Sequence, residues 1–437
     1  MNELMTSPER WQKTRFAQLF VENSQKNAGL YSINAFQFTY GEIVPKPQYE
    51  LTEALKLSYE KYIVVEPGDI MLNGLNLNYD FVTQRVGLVR NPGIITSTYI
   101  CIRPRVKAVP KYYAYLFKTI DARKIFNGMG TGIRRTLSYD CLKNYMLPYP
   151  ECVEQEQIVQ YLDWRLSEIN HLINLKKKEI KNVLSLKNSA VSDAVIHGVT
   201  PNTPMKYSGV KWLGDIPAHW TMIKLRQILH PISVKNHPEL PLLSVTREQG
   251  VIVRNVESKE ENHNYIPDDL SGYKVVHKGQ FAMNKMKAWQ GSYGISGHTG
   301  IVSPAYFIFD VDFDNLEYFH FAIRSKVYVN FFAQASDGIR VGQWDLQMDK
   351  MKEIPFIIPP ADEQIAIVEH VREAMPKYDA LIAKLNEEIK LLEEYKAKLI
   401  SDVVTGKIDV RNVEIPEYEY IGEEIDSGVE EEEDAEE

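Results

Sequence analysis

The chain has 437 residues, 44% of them hydrophobic and 25% charged, so it is long enough for two or more domains and is not disordered throughout. Its net charge of −9 does not exclude nucleic-acid binding, because residues 414–437 hold 13 acidic residues and no basic one, and the remaining body carries +4. The spacing of its three cysteines matches neither a disulfide framework nor a zinc site, so we expect a reducing, cytoplasmic environment and no bound metal. The sequence has no apolar run long enough to span a membrane and no secretory leader, so we expect no contact with a membrane.

The first 153 residues are predicted to form a compact α+β domain. Short β-branched runs, such as residues 94–102, alternate with turn residues and with short aromatic helical stretches, such as residues 111–120. This mixture is typical of a domain in which a few helices cover a small sheet.

A long helix is predicted at residues 154–197. Apolar residues recur at alternating spacings of four and three from Leu162 to Ala194, and only Lys176 and Lys187 interrupt the stripe with charge. At about 1.5 Å per residue such a helix extends on the order of 65 Å, more than one small domain can cover. We therefore expect it to pair with a second helix.

The second half of the chain repeats the first. A linker at residues 198–211, rich in proline and glycine, leads into a second α+β domain at residues 212–360. Paired segments recur in the same order at offsets of 206 to 211 residues, which indicates a tandem duplication. The pairs are 8–11 with 217–220, 62–73 with 273–284, 93–95 with 300–302, 132–134 with 338–340 and 156–158 with 363–365.

The duplicate of the long helix is predicted at residues 361–409. Its stripe runs from Val371 to Val403 with Lys396 inside it, and Pro376 should kink it or begin a fresh helix after a separate segment at 362–375. The natural partner of each long helix is the other, in an antiparallel pair. Residues 410–437 are predicted to be a disordered acidic tail.

The sequence contains no complete catalytic motif. The chain has no phosphate-binding P-loop and no zinc-protease motif. His237-Pro-Glu239 lacks the cysteines of a zinc deaminase, and the methyltransferase-like Phe126–Gly130 lacks both its acidic neighbour and an adenine-methylating motif. We therefore predict no catalytic residue, no metal site and no cofactor bound by this chain.

Basic and amide side chains in loops of both α+β domains are the candidate DNA contacts. Arginine and lysine recognise guanine edges or grip phosphate, whereas asparagine and glutamine recognise adenine. The Gly-Ile-Arg loops recur in both halves, which strengthens the case for the loops as a set. The candidates are Arg85, Arg90, Arg134 and Arg135 in the first half, and Asn284, Lys285, Lys287, Gln290 and Arg340 in the second.

The sequence also resembles the specificity (S) subunits of type I restriction-modification systems. The segment Tyr207-Ser-Gly-Val-Lys-Trp-Leu-Gly-Asp-Ile-Pro-Ala-His-Trp220 looks like the opening of a target recognition domain in that family. The P-x-x-E-Q-x-x-I starts of both long helices match as well, and the resemblance covers residues 1 to about 410. The first half keeps only Pro8 and Trp11 of the opening segment.

The resemblance implies a fold and a function together. The fold is two pseudo-symmetric α+β target recognition domains separated by an antiparallel pair of long coiled-coil helices. Each domain reads one half of a bipartite asymmetric site in double-stranded DNA, and the helices set the spacer. Two modification (M) methyltransferase subunits dock on the helices, for which Glu156, Gln157, Glu363 and Gln364 are the candidate residues, and restriction (R) subunits complete an assembly that uses S-adenosylmethionine, ATP and Mg.

A coiled-coil adaptor that binds protein partners at both ends is the alternative. It explains the long helices and gives the acidic tail a docking role, but it does not explain the arginine and lysine loops. A bipartite footprint on DNA would favour the specificity subunit over the adaptor.

Overall fold

The computed structural model describes residues 7–39, 41–47, 50–78, 84–105, 108–133, 135–255, 267, 269–340 and 343–422. The chain divides into two units. Unit 1 comprises residues 1–176 and 387–424, and unit 2 comprises residues 177–386 and 425–437. Each unit therefore contains an α+β body and one segment of each long helix.

The described residues of the unit 1 body form ten strands and five short helices. The strands are β1 (Gln12–Arg15), β2 (Phe20–Glu22), β3 (Phe36–Thr39), β4 (Glu42–Pro45), β5 (Ile63–Val65), β6 (Ile70–Leu72), β7 (Val86–Leu88), β8 (Gly93–Ile95), β9 (Ile100–Pro104) and β10 (Met146–Tyr149). The helices are α1 (Phe16–Leu19), α2 (Glu53–Tyr59), α3 (Pro110–Ala122), α4 (Ile125–Met129) and α5 (Tyr139–Leu142). The first long helix follows as α6 (Cys152–His197).

An antiparallel sheet in the order β2-β9-β6-β7 lies at the centre of unit 1. Successive residues of β6 point to opposite faces, as the pleat requires. Ile70 and Leu72 pack with Phe117 of α3 in the main core, whereas Met71 packs with Ile63 and the strands β5 and β8. The sheet is buried on both faces, which explains its continuous apolar strands.

Unit 2 repeats this architecture. Its strands are β11 (Met205–Tyr207), β12 (Asp215–Pro217), β13 (Thr221–Lys224), β14 (Leu229–Ile232), β15 (Leu243–Thr246), β16 (Gly250–Val253), β17 (Lys274–Val276), β18 (Phe281–Met283), β19 (Tyr293–Ile295), β20 (Gly300–Val302), β21 (Phe307–Val311), β22 (Ser336–Arg340), β23 (Gln343–Leu346) and β24 (Pro355–Ile358). Its helices are α7 (Leu316–Arg324), α8 (Lys326–Gln334), α9 (Met348–Lys352) and the second long helix α10 (Ala361–Val404), with 3-10 turns at Leu225–Gln227 and Ala288–Gln290.

The central sheet of unit 2 has the order β14-β21-β18-β19, which matches unit 1 strand for strand. The pairs β13 with β24 and β17 with β20 likewise match β1 with β10 and β5 with β8. The predicted α+β class and the duplication are therefore confirmed. The strands β11 and β12, formed by the opening segment at 207–220 and the residues before it, are an addition in unit 2 among the described residues.

The two long helices run antiparallel within unit 1. Asn170 of α6 accepts at Oδ1 from Lys396 of α10 at 2.9 Å, and Lys176, further along α6, forms an ion pair with Glu388, which comes earlier in α10. Residues later in α6 therefore contact residues earlier in α10. In unit 2, Lys187 forms an ion pair with Asp379. Each lysine that interrupts the apolar stripes thus has a polar partner on the other helix. The helix α10 is continuous through Pro376, so a separate segment at 362–375 does not form.

Residues 410–422 depart from the predicted disordered tail. Val410 is 2% exposed and packs in the core of unit 1, and Gln157 Nε2 donates to the carbonyls of Val410 and Val413 at 3.1 and 2.8 Å. Further along, Asn170 Nδ2 donates to the carbonyl of Ile421 at 3.0 Å. Valines and an isoleucine among the acidic residues thus anchor this stretch on α6, while residues 423–437 lie outside the described part.

Each unit begins with the same tryptophan turn. The amide of Trp11 donates to Pro8 O at 2.9 Å, and that of Trp220 donates to Pro217 O at 3.0 Å. Each indole packs against the glycine that follows a long helix. Trp11 packs against Gly406, and Trp220 packs against Gly198. Although the first half keeps little of the opening segment, it is built in the same way at this turn.

Candidate nucleic-acid interface

In unit 2, the loop from Asn284 to Ser292 begins where the central strand β18 ends. Asn284 Oδ1 accepts from the amide of Met286 at 3.1 Å, which is the local turn that a short amide side chain favours. Gly291 ends the loop's 3-10 turn at φ = +95°, a conformation that glycine adopts readily. Asn284 itself is 9% exposed and its Nδ2 donates to Tyr306 Oη at 3.3 Å. It therefore shapes the loop, and its predicted role as a DNA contact is wrong.

The hairpin β22–β23 packs against this loop. The amide of Leu346 donates to Lys285 O at 3.2 Å, and Trp289 stacks on Trp344 with ring centroids 5.3 Å apart. Trp344 also lies over Gly338, where an added Cβ would approach its ring within 2.5 Å. The Gly-Ile-Arg turn and the lysine loop thus lie together, a contact that the sequence alone does not predict, and the side chain of Arg340 lies outside the described set.

The loop carries positive charge. Lys285 and Lys287 are half-buried, and Lys285 Nζ lies 3.3 Å from Asp345 Oδ1. Burial, followed by the charges of Lys235 and Lys285, lowers the pKa of the neighbouring Lys274. Lysine ammonium groups at and beside this loop can bind phosphate. Gln290 is also half-buried, at the end of the 3-10 turn.

Unit 1 brings the corresponding loops together. Asn73 Oδ1 accepts from the amide of Leu75 at 3.1 Å, the same turn that Asn284 makes. Leu77 N donates to Arg135 O at 3.2 Å, and Leu137 N donates to Gly74 O at 2.9 Å. Arg135 is exposed, with Nη1 at 3.4 Å from Asn127 O, whereas Arg134 lies outside the described residues.

The remaining two candidates of unit 1 differ from each other. Arg85 is 1% exposed, and its Nη1 donates to the carbonyls of Asn73 and Leu75 at 3.0 and 2.7 Å. Its predicted DNA contact is therefore wrong, because the guanidinium is buried and donates to main-chain carbonyls. Arg90 is exposed and lies 3.4 Å from Glu42.

The four candidate partner-binding residues fall into two groups. Glu156 is exposed on α6. Gln157 holds the stretch at 410–413, Glu363 accepts from Trp220 Nε1 at 2.9 Å, and Gln364 is 8% exposed with Nε2 bonded to Pro359 O at 2.9 Å. Gln364 and Glu363 therefore support the fold of unit 2. Gln364 is buried, whereas Glu363 is partly exposed and its predicted docking role stays a prediction.

The structure also corrects the register between the two helix starts. Gln155 Nε2 donates to Pro150 O at 2.8 Å, as Gln364 does to Pro359, so the helices correspond at an offset of 209 residues. The sequence pairing used Gln157 because the first helix begins with Glu-Gln twice. The spacing of five residues from the proline, together with the Ile-Val pairs 158–159 and 367–368, is the signal that identifies Glu154 and Gln155.

The two rejected enzyme motifs have structural roles or lie at the surface. Phe126 is a core residue of unit 1 and Asn127 Nδ2 donates to Leu77 O at 2.6 Å, so this segment supports the loop after β6. His237 pairs with Glu239 at 2.9 Å on the surface. In the part of the chain that is described, no group of three His, Cys, Asp or Glu could hold a metal ion. Within the same residues, none of the helices is apolar over a bilayer's thickness.

Comparisons with known proteins find similar chains in type I restriction-modification systems. No family model matches the chain. A curated protein of Methanocaldococcus jannaschii, the type I restriction enzyme MjaVIII specificity subunit, is 24% identical over 378 residues, covering 81% of this chain and 82% of that protein. A chain solved in a study of complex assembly and conformational transition of the type I R-M system has a TM-score of 0.61, at 14% identity, over 92% of this chain and all of its own.

A second solved chain, the HsdS subunit of Thermoanaerobacter tengcongensis, matches with a TM-score of 0.42 and 14% identity, over 92% of this chain and 98% of its own. The resemblance that the sequence predicted is confirmed by the curated relative, and the predicted fold by the first solved chain. Neither favours the coiled-coil adaptor.

Proposed function

We propose that this chain, a relative of the specificity subunits of type I restriction-modification systems, is the subunit that gives such a complex its DNA sequence specificity. The observation that carries the proposal is the duplicated body, in which each unit brings a loop after its central strand together with a second basic loop. A chain with two similar but unequal readers suits a site with two unequal halves.

Recognition by this chain is separate from chemistry. The loops supply lysine, arginine and glutamine, which bind phosphate and base edges, and they supply no acid-base pair, nucleophile or metal ligand set among the described residues. The chain therefore selects the site, and modification and restriction subunits of the complex act on it. S-adenosylmethionine, ATP and Mg are expected to be cofactors of those subunits.

The long helices are proposed to set the spacer and to carry the methyltransferase subunits. Their exposed faces near each start include Glu156 on α6 and Ile365, which is 55% exposed, at the equivalent place on α10. Because the two helix starts are duplicated segments, two copies of one partner can dock on them. The docking surface is proposed to begin at these positions, and not at Gln364, which is buried.

Domain exchange tests the proposal. Residues 212–360 are replaced by the equivalent domain of a relative, the chimera is expressed with its modification subunit, and methylated motifs are mapped by single-molecule sequencing. We expect one half of the motif to change while the other half and the spacer stay. If the wild-type complex yields no bipartite motif, or if both halves change, the proposal is wrong. The adaptor predicts that no motif depends on this chain.

A further inference from the structure

Arg324, at the end of α7, holds the turn between β15 and β16. Its Nη2 donates to the carbonyls of Arg247 and Glu248 at 2.8 and 2.9 Å, and its Nη1 donates to the carbonyl of Tyr293. Burial of the guanidinium lowers the pKa of Arg324. A charge withdrawn from water is costly unless it is hydrogen-bonded, so all three contacts are favoured, and the two with Arg247 and Glu248 hold the turn.

The turn has further constraints of its own. Thr246 Oγ1 accepts from the amide of Gln249 at 3.1 Å. Gly250 has φ = +74°, and a Cβ added there would lie 2.9 Å from Arg324 Nη1. Any other residue there would be strained in its backbone and would have to displace the guanidinium. The side chains at the tip therefore project from a rigid backbone.

The same guanidinium connects this turn to the loop already described. Tyr293 directly follows Ser292, whose carbonyl accepts from Asn284 N at 3.0 Å and so closes the loop 284–292. Through Tyr293 O on one side and Arg247 O on the other, Arg324 joins the end of that loop to the turn. The turn thus lies at the same edge of unit 2 as the basic loop.

In unit 1 the corresponding helix also carries a cation, but it contacts a carboxylate and not main-chain carbonyls. Lys118 occupies the position on α3 that lies 206 residues before Arg324, and its Nζ is 3.5 Å from Glu42 Oε1 on β4. Gly41, in the turn between β3 and β4, has φ = +77°. A cation at the same helical position thus contacts the corresponding hairpin in unit 1, through a side chain of β4 and not through the main chain of the turn.

We infer that the turn Arg247–Gly250 is a DNA-contacting segment of unit 2, with Arg247 and Gln249 as contact residues and Arg324 as their positioning residue. The inference rests on the proposed function. Arg247 is 68% exposed and Gln249 is exposed, and these side chains match guanine and adenine edges. Glu248, 75% exposed between them, lies 4.0 Å from Arg247 Nε, and its carboxylate can accept from cytosine N4.

The test uses the full chain assembled with its modification subunit. Arg247→Ala and Gln249→Ala are compared with Lys278→Ala, a matched control at the opposite end of β18 from the basic loop. DNA affinity is measured on duplexes carrying the bipartite site and single-base variants of it, and the methylated motif is mapped in the host. For the two turn variants we expect affinity to fall between about fivefold and about 150-fold, with relaxed preference at one position of one half-site.

The outcomes separate this inference from the proposed function. If the wild-type complex reads a bipartite site while the two turn variants bind and methylate as Lys278→Ala does, the turn is not a contact and the proposed function stands. If Arg247→Ala weakens every sequence alike and lowers the salt slope by about one, a phosphate contact replaces the base contact and the base-edge assignment is overturned. If the wild-type complex shows no bipartite motif, the proposed function itself fails.

Discussion

Glu363 accepts a hydrogen bond from Trp220 Nε1 at 2.9 Å, and its other carboxylate oxygen bonds to the ring of His219. In unit 1, Glu154 accepts from Arg10 at 2.7 Å beside Trp11, at positions 209 residues earlier. In both units, a glutamate in the first turn of a long helix is thus tied to the residues that begin the unit. The carboxylate fixes where the helix leaves the body.

Glu363→Gln should weaken unit 2, because a neutral amide replaces a carboxylate that accepts from two side chains. We expect a loss of about 1 to 3 kcal/mol in the free energy of unfolding, measured by urea denaturation. Glu369→Gln, at an exposed position on the same helix, is the control. Equal unfolding midpoints for the two variants would show that the carboxylate adds nothing.

Reversing the charge of Lys176 or of Glu388 alone should destabilise the helix pair in unit 1, and reversing both should restore it. The two side chains are 27% and 35% exposed, so a coupling of about 0.5 to 1 kcal/mol is expected, decreasing with salt. A double-mutant cycle of unfolding free energies at low and high salt measures it. A coupling energy of zero at low salt would contradict the pairing.

Arg85→Ala should act on stability, whereas Arg90→Ala should not. The first change leaves the carbonyls of Asn73 and Leu75 without their donor and opens a buried space, at a cost of about 1 to 3 kcal/mol. The second removes one exposed ion pair, worth about 0 to 1 kcal/mol. Thermal unfolding of the two variants separates them. Similar melting temperatures for the two variants would show that Arg85 does not stabilise the fold through these carbonyls.

The stability of unit 2 should fall with acidification because of His320. Burial, followed by the charge of Arg324, lowers its pKa to about 4, while the unfolded residue titrates near about 6.5. The unfolded state thus binds a proton first as the pH falls, and about 2 kcal/mol should be lost between about pH 7.5 and pH 5. His320→Gln should show a smaller loss over this range. Equal pH profiles for both proteins would refute the assignment.

Arg134→Ala and Arg340→Ala should each weaken binding at a different half-site, because the Gly-Ile-Arg loops belong to different units. A base contact would cost about 1 to 3 kcal/mol and relax one position, whereas a phosphate contact would weaken all sequences together. Competition binding with half-site variants measures both effects. Unchanged binding for both variants would remove these loops from the interface.

Much of the fold is predictable because the signals are long and repeated. A heptad stripe of 33 residues in each long helix and a duplication with ordered offsets each accumulate evidence from many positions, so local errors do not matter. The lysines that interrupt the stripes are compatible with a paired helix, because Lys176, Lys187 and Lys396 each have a polar partner on the opposite helix.

Single side chains were harder to assign. Arg85 follows a polar residue near a strand start, and no pattern reveals that its side chain turns inward to two carbonyls. Acidic composition concealed that Val410 and Val413 contribute to the core. Arg324 is inconspicuous at a helix end, because its role depends on contacts with residues 76 and 77 positions earlier, which only the tertiary structure brings near.

The packing of residues 410–421 on α6 has a consequence for how the protein is made. Residues 177–386 of unit 2 form an uninterrupted stretch, and they can complete their core while later codons are still being translated. Unit 1 is discontinuous, and the partners of Gln157 and Asn170 are synthesised about 250 residues after them. The half of the protein that leaves the ribosome first is therefore the half that finishes folding last.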